Sequence, residues 1–575
     1  MRYEAETRGQ NFYDLDVNLQ AVLRRRTPVD PARWGATLSE FGAWVGSEVD
    51  AQAAYTDRHG KPMLETYDRD GETVNRIVHN PAWEKTSEDA YRRGVVGLNY
   101  ADDPAPYSLT FAMGYLLSQA DTSLHCPVTM TGAVAYVLDR FAPADVRGRY
   151  LHQLTRMDGE ALTGGTWATE RHGGSDVGAT TTVATPADDG VRLTGLKWFT
   201  SNVNGGLALA TARPAGAPDG SKGLGVYLVP THLDDGRANA MRIRRLKDKL
   251  GTCGVPTGEV DLLDAFAVEV APPPAGFKLM MEALEFSRIH NAVGSVGLHR
   301  RAFLEAVSYG SHRDAFGRTI TDYPMVQNEL LSVMVQLEAG MTLAFEAAAA
   351  FDAAHVVGLD DVDDEARIWL RLVTALAKYF TAEEANVAAR AAIEIIGGNA
   401  YTYDYCTPRL LRDAQALTVW EGPANIQALE LLRLLGPRHG GFDLFDAQAR
   451  KAIDAAPADL ADQAATVAQA LQDCRDAVGY IAGDAGRAQR HARKLLQLMA
   501  DVMAAAMLLD AATADLAGGD ARKALVSRLF LEARLQPPAR RGIGPDQEWT
   551  DRYFRPLVGY EPVDSPRDAR LHAAG

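Results

Sequence analysis

The spacing of apolar residues changes twice along the 575-residue chain. From residue 1 to about 155, hydrophobic positions recur near the helical period, as in LSEFGAWVGSEVDAQAAY over 38–55. The pattern there predicts a mixed but mostly helical region. A polar, charged stretch around Asp57 to Glu72 reads as a loop. MGYLLSQADTSLHCPVTMTGAVAYVLDRF reads as helix again, with an interruption expected near Pro127. From 161 to about 272 the texture becomes short β-prone runs between Gly, Asp and Pro: VRLTGLKWFTSN, GLGVYLVP and GEVDLLDAFAVEVA. The triplet PPP at 272–274 closes them. Long amphipathic Ala/Leu-rich segments then return from 276 to 437. A last helical segment follows, and its tail from Pro537 on, richer in Pro, Gly and Arg, reads as partly irregular. Four regions result: a helical domain at 1–155, a β domain at 156–274, a helical bundle at 275–437 and an additional C-terminal helical domain at 438–575. The fold class is α+β.

Composition narrows the class. With 47% hydrophobic and 23% charged residues, collagen-like, largely disordered and disulfide-scaffold chains are excluded. The start, MRYEAETRGQ, has no apolar core of a signal peptide, and no uncharged apolar stretch of about 18 residues is evident. A cytoplasmic protein with no membrane partner is expected. Cys126, Cys253, Cys406 and Cys474 lie far apart, form no CxxC pair and predict no metal site. The net charge, 59 − 75 = −16, opposes a whole-protein attraction to nucleic acid. Residues 441–575 carry 17 Lys+Arg and 19 Asp+Glu, a net −2, where a DNA-binding domain is normally basic. Helical spacing places Arg487, Arg490 and Lys494 on one face, and Arg24-Arg25-Arg26 forms a short run. Both read first as solvated or ion-paired charge.

Four motifs carry candidate chemistry. Thr169-Glu170-Arg171-His172-Gly173-Gly174-Ser175-Asp176 is a structural turn, or a loop whose backbone N–H groups and Ser175 hydroxyl hold phosphate. Lys197-Trp198-Phe199-Thr200-Ser201 lies in a strand. Alternation there sends one aromatic to the core and leaves the other to stack on a flat ring, unless both merely pack. Ile395-Ile396-Gly397-Gly398-Asn399-Ala400-Tyr401 ends a helix as a cap, or lets backbone reach a pyrophosphate, with Arg313 as its candidate cation. Finally, Trp420-Glu421-Gly422-Pro423-Ala424-Asn425 puts Glu421 at a turn into a helix. Apolar neighbours there would raise a general base toward working pH; the alternative is a capping or solvated glutamate.

The ordered set TE-x-x-GGSD, KWFTSN, SHRDAFGR, IIGGNAY, RDA and WEGPANIQ resembles the acyl-CoA dehydrogenase family, as does the helical–β–helical order. HCPVTMT, RLKDKLG and the extra C-terminal segment resemble its AidB branch, the alkylation-response relatives. The resemblance implies a middle β-sandwich or barrel domain, a C-terminal four-helix bundle, and FAD bound between the β domain and the second helical domain at a subunit interface. It assigns Thr169, Gly174 and Ser175 to the flavin and pyrophosphate, and Trp198, Phe199, Thr200 and Ser201 to the strand along the isoalloxazine. Arg313, Phe316 and Gln327 would reach the FAD of a neighbouring subunit. Gly397 and Gly398 would form the adenosine-diphosphate loop, and Trp420, Gly422 and Asn425 would complete the pocket. A homotetramer built as a dimer of dimers is implied.

The implied reaction is α,β-dehydrogenation of an acyl-CoA or related thioester, with an unnamed electron acceptor and Glu421 as catalytic base. The base position used by some other relatives is Ser287 here, ahead of Arg288, so Glu421 is the motif-matched candidate. Pro423 stands where Thr or Ser is common, so one FAD contact of the family is lost or replaced, and Ala400 replaces a loop glycine. Two alternatives share the scaffold: a flavin oxidase or monooxygenase, and an AidB-like flavoprotein with a DNA-associated protective role.

Overall fold

The computed structural model describes residues 3–356, 364–536 and 548–564. Its contacts divide the chain into two compact units, residues 40–290 and residues 1–39 with 291–575. In chain order the helices begin with α1 (Val17–Arg26), α2 (Pro31–Trp44) and α3 (Asp50–His59). A hairpin follows, β1 (Met63–Tyr67) with β2 (Thr73–Val78), then α4 (Pro81–Arg92), α5 (Tyr107–Ala120), α6 (Thr122–Phe141) and α7 (Ala144–Thr155). Seven strands come next: β3 (Gly164–Trp167), β4 (Val183–Ala187), β5 (Gly190–Ser201), β6 (Leu207–Pro214), β7 (Gly225–Pro230), β8 (Met241–Leu246) and β9 (Thr257–Ala271). After α8 (Ala275–His312), a minimal hairpin pairs β10 (Asp314–Ala315) with β11 (Arg318–Thr319). The remaining helices are α9 (Pro324–Ala354), α10 (Glu365–Ile396), α11 (Thr407–Val419), α12 (Ala424–Leu434), α13 (Gly441–Ala455), α14 (Ala461–Ile481), α15 (Ala485–Ala517), α16 (Arg522–Arg534) and α17 (Glu548–Val558). The expected helical, β, helical order with extra C-terminal helices is therefore present.

Two local expectations for residues 40–290 need correction. The polar stretch 57–72 is not one loop, because β1 runs through it and pairs with β2 from Met63↔Val78 to Tyr67↔Thr73. The turn itself is short, with the Asp68 carboxylate accepting the Asp70 and Glu72 backbone N–H groups at 2.9 Å each. Nor does Pro127 break its helix. The break falls at Asp121, whose side chain caps α6 by accepting the N–H groups of Ser123 and Leu124. Every residue from Thr122 to Leu138 is buried. That packing outweighs the roughly 3 kcal/mol an interior proline costs.

The β strands close on themselves. Order runs β6-β4-β5-β9-β7, and β7 bonds back to β6, making a barrel, with β3 added beside β6 and β8 beside β9. Its core holds Trp167, Leu193, Val203, Tyr227, Val260 and Leu262 among others. Closure leaves few free strand edges, so loops at the barrel rim are anchored at both ends.

In residues 1–39 with 291–575, α9 packs on α10, and α15 packs against α9, α10, α12, α13, α14 and α16. α9 and α15 are each long and apolar enough to cross a membrane despite their acidic residues, but their apolar windows are 89% and 83% buried. Such burial marks core helices. Glu338 on α9 is fully buried against Arg522, at 2.5 Å, and Lys523. Burial opposes its charge, yet the two cations outweigh burial and hold its carboxyl at about 2. The irregular tail expected beyond Pro537 lies, apart from 548–564, outside the described residues.

Candidate flavin and base sites

In residues 40–290 the first two motifs are locked to each other by a buried ion pair. Lys197 on β5 donates to Glu170 at 2.9 Å and to the Thr211 carbonyl at 2.7 Å. The Glu170 carboxylate also accepts the backbone N–H and hydroxyl of both Thr181 and Thr182. Burial opposes the charge of Glu170, but Lys197 and the threonine donors hold its carboxyl down at about 2. Burial lowers Lys197, with Glu170 pulling the other way. Next to this pair, the Trp198 N–H donates to the Thr169 carbonyl at 2.9 Å. The loop then turns sharply: the Gly173 N–H donates to the Glu170 carbonyl at 3.0 Å, with Gly173 at φ 143°. A Cβ on Gly174 would fall 2.7 Å from the Thr169 hydroxyl, so glycine is required for the loop to fold back on Thr169. Ser175 is left exposed.

The strand's side chains depart from the alternation read in the sequence. A bulge between Trp198 and Thr200 shifts the β5–β9 register, with Phe199 at φ 56°. One extra residue flips the parity of everything after it. Neither aromatic enters the core: Trp198 is half-buried and Phe199 is 55% exposed. Thr200 takes the buried position instead and donates its hydroxyl to the Gly258 carbonyl at 2.9 Å. Ser201 bonds to the Thr257 hydroxyl at 3.0 Å. Elsewhere in this unit, Ser287 donates to the Ala283 carbonyl at 3.0 Å, and Arg288 pairs with Glu285 at 3.2 Å.

The remaining candidates fall in residues 291–575. Arg313 follows α8 and is exposed; Phe316, at the tip of the β10–β11 hairpin, is 98% exposed. Gln327 on α9 donates to the Thr321 carbonyl at 2.8 Å, while its Oε1 is buried with no hydrogen-bond partner among the described residues. Gly397 ends α10 at φ 83°, and a Cβ on Gly397 or Gly398 would meet nothing within 4 Å. Ala400 is buried, its carbonyl accepting the Thr407 hydroxyl at 2.8 Å. After α11, Trp420 leaves the helix, and Glu421 and Gly422 both adopt positive φ, 57° and 96°. Two left-handed residues in succession turn the chain into Pro423, the N-cap of α12. Gln427, wholly buried, donates its amide to the carbonyls of Glu421 at 3.2 Å and Gly422 at 2.9 Å. Asn425 sits exposed in the first turn of α12.

The sequence patterns assign no role to Glu170, Lys197 or Gln427, although Glu170 and Lys197 fix the backbone around Thr169, and Gln427 that around Glu421. Their adjacency to Thr169, Trp198 and the Glu421 turn was the available signal. Within each unit the donors suit FAD. The exposed Ser175 hydroxyl, the open Gly397-Gly398 backbone and the Arg313 guanidinium suit phosphate oxygens. Phe199 offers a face to a planar ring, and the Gln327 Oε1 can accept a hydrogen bond. Among the described residues no three His, Cys, Asp or Glu side chains gather to hold a metal. The basic runs take the bland form. Arg25 and Arg26 pair with Asp515, Glu346 and Asp510. Arg487 and Arg493 pair with Asp484 and Glu383, leaving Arg490 and Lys494 exposed.

Family models match along the chain: the AidB N-terminal domain of the adaptive response protein at 4–158, the acyl-CoA dehydrogenase middle domain at 165–265 and its C-terminal domain at 275–435. The chain is 34% identical to acyl-CoA dehydrogenase family member 11 of Caenorhabditis elegans over 441 residues, 74% of this chain and 70% of that one. It is 30% identical to the putative acyl-CoA dehydrogenase AidB of Escherichia coli K12 over 449 residues, 76% of this chain and 80% of that one. The crystal structure of C. elegans ACDH-11 in complex with C11-CoA superposes with a TM-score of 0.86 at 27% identity, covering 97% and 96% of the two chains. With these likenesses spanning a helical, β-barrel and helical chain, the protein belongs to the acyl-CoA dehydrogenase family of FAD-dependent oxidoreductases, in its AidB-like branch.

Proposed function

We propose that the protein dehydrogenates an acyl-CoA thioester between its α and β carbons, with Glu421 as the base. The observation that carries this reading is the left-handed Glu421-Gly422 turn, pinned from below by the buried Gln427 amide. A strained, over-determined backbone at a carboxylate marks a position held for chemistry rather than for packing. In this reading the Glu421 carboxylate removes the α-proton, and its backbone N–H donates to the thioester carbonyl as enolate character develops. FAD, when bound, supplies the two-electron acceptor for the β-hydride. Thr169, Gly174, Ser175 and Trp198 to Ser201 would hold it from their unit. Arg313, Phe316, Gln327, Gly397 and Gly398 would do so from theirs, partly toward a neighbouring subunit in a dimer of dimers. Trp420, Gly422 and Asn425 would close the pocket. Acyl-CoA as substrate is supported by the C11-CoA complex of the C. elegans relative.

The test is an anaerobic titration of the flavin-loaded protein with straight and branched acyl-CoAs, followed at the flavin band. Bleaching by one class, lost in Glu421→Gln with FAD still bound, is the expected result. A flavin that stays oxidised with every thioester would remove the acyl-CoA reading.

A further inference from the structure

The RLKDKLG run contains a lysine that the flavin reading leaves without a role. Lys247 follows β8, and its backbone N–H donates to the Thr257 carbonyl at 2.8 Å. Its ammonium lies 3.4 Å from the centroid of Trp198 and 4.7 Å from that of Phe199. The bulge at Phe199 makes this double contact possible, because it keeps both rings out of the core. Glu259 on β9, the ladder partner of Trp198, holds the same ammonium at 2.6 Å. The Lys247 side chain is only 13% exposed and that of Glu259 5%. Burial opposes the charge of Glu259, yet hydrogen bonds from Lys247 and Arg245 outweigh it and lower its carboxyl. Lys247 is thus clamped between two ring faces and a carboxylate, unlike an ordinary surface lysine that sweeps through solvent.

Ring faces attract a cation through their quadrupole, and a cation fixed there favours negative charge on any group stacked beside it. We propose that Lys247, braced by Glu259, is a positioning and charge-stabilising residue of the cofactor site, its ammonium standing beside a planar ring stacked on Trp198 and Phe199 and favouring that ring's reduced, electron-rich form. This rests on the reading that FAD lies along the 198–201 strand.

The experiment is a spectroelectrochemical titration of the purified flavoprotein, together with FAD affinity from fluorescence of the stripped protein. In Lys247→Met, the preference for reduced over oxidised FAD should fall about tenfold, a lowering of the midpoint by about 30 mV for a two-electron couple. Lys247→Arg should restore it. Arg245→Met, which removes a neighbouring cation that also pairs with Glu259 but touches neither ring, should leave the midpoint in place. A wild-type midpoint in Lys247→Met, or an equal shift in Arg245→Met, overturns the proposal. Should Lys247→Met not fold, Lys247→Gln carries the same comparison. Failure of the wild type to take up FAD would overturn the cofactor reading itself, and the Lys247 role with it; normal uptake with an unshifted midpoint defeats the Lys247 role alone.

Discussion

Glu421 keeps its backbone at φ 57°, a region that residues with a Cβ seldom enter, and the Gln427 amide beneath it donates to both carbonyls of the turn. Replacing Gln427 with Leu preserves volume and removes those two bonds. The proposed base is then free to drift, and displacements near one ångström cost about a hundredfold in rate. Gln427→Leu should lower kcat for acyl-CoA by about 10- to 100-fold, with FAD content retained, as measured by steady-state kinetics beside the flavin absorbance. The same neighbourhood shows what the sequence conveys. Glu421 is legible because its motif is compact and chemically distinctive. Gln427 is not, since a buried glutamine in an amphipathic helix looks like any polar position. Trp198 and Phe199 are legible as adjacent strand aromatics, but period-two reasoning puts one of them in the core. A bulge has no sequence signature strong enough to reveal the change of parity.

Where α15 packs on α10 and α16, a carboxyl-rich cluster is buried. Arg534 on α16 bonds to Gln336 on α9 at 2.9 Å and pairs with Glu384 on α10, while Asp501 on α15 is 5% exposed with a buried Oδ1 that has no hydrogen-bond partner among the described residues. Burial raises the Asp501 carboxyl to about 7, opposed by Arg534 and reinforced by Glu384. Burial likewise raises Glu384. On α14, Cys474 faces the same cluster, its thiol pushed up to about 12 by burial, then by Asp473 and Asp501. A carboxyl whose value is raised by folding holds its proton in the native state after the unfolded chain has lost it. Its favourable contribution is complete below about pH 4 and is lost as pH climbs toward 7. Each tenfold change in an acid's dissociation constant is worth about 1.4 kcal/mol, so several kcal/mol are involved. Asp501→Asn should flatten the decline in Tm expected of the wild type between about pH 4 and 7 and raise Tm at the upper end, in thermal melts followed by circular dichroism. An unchanged slope would show that Asp501 stays ionised in the folded protein.

At the scale of the whole chain, the alternation of helical and β texture was readable from apolar spacing alone. Closure of the strands into a barrel was not, because closure depends on the long-range β6–β7 pairing rather than on any local pattern. The proposed assembly is similarly remote from periodicity, though one exposed side chain offers a test of it. Phe316 is 98% exposed on a two-residue turn with Phe316 at φ 52° and Gly317 at φ 85°. Covering such a ring is worth about 2 kcal/mol. In the proposed dimer of dimers, Phe316→Ser should shift the protein toward smaller species in light scattering and lower its FAD content. A wild-type mass and flavin ratio would remove Phe316 from the interface. The Glu170 carboxylate points to a further property. Its bonds from Lys197, Thr181 and Thr182 fasten the Thr169 loop to its neighbouring strand using the protein's own atoms. If this loop seats the flavin, as proposed, the seat is shaped in advance, and flavin loading is expected to be a docking event whose rate climbs in proportion to flavin concentration without a plateau, as stopped-flow mixing of stripped protein with FAD would show.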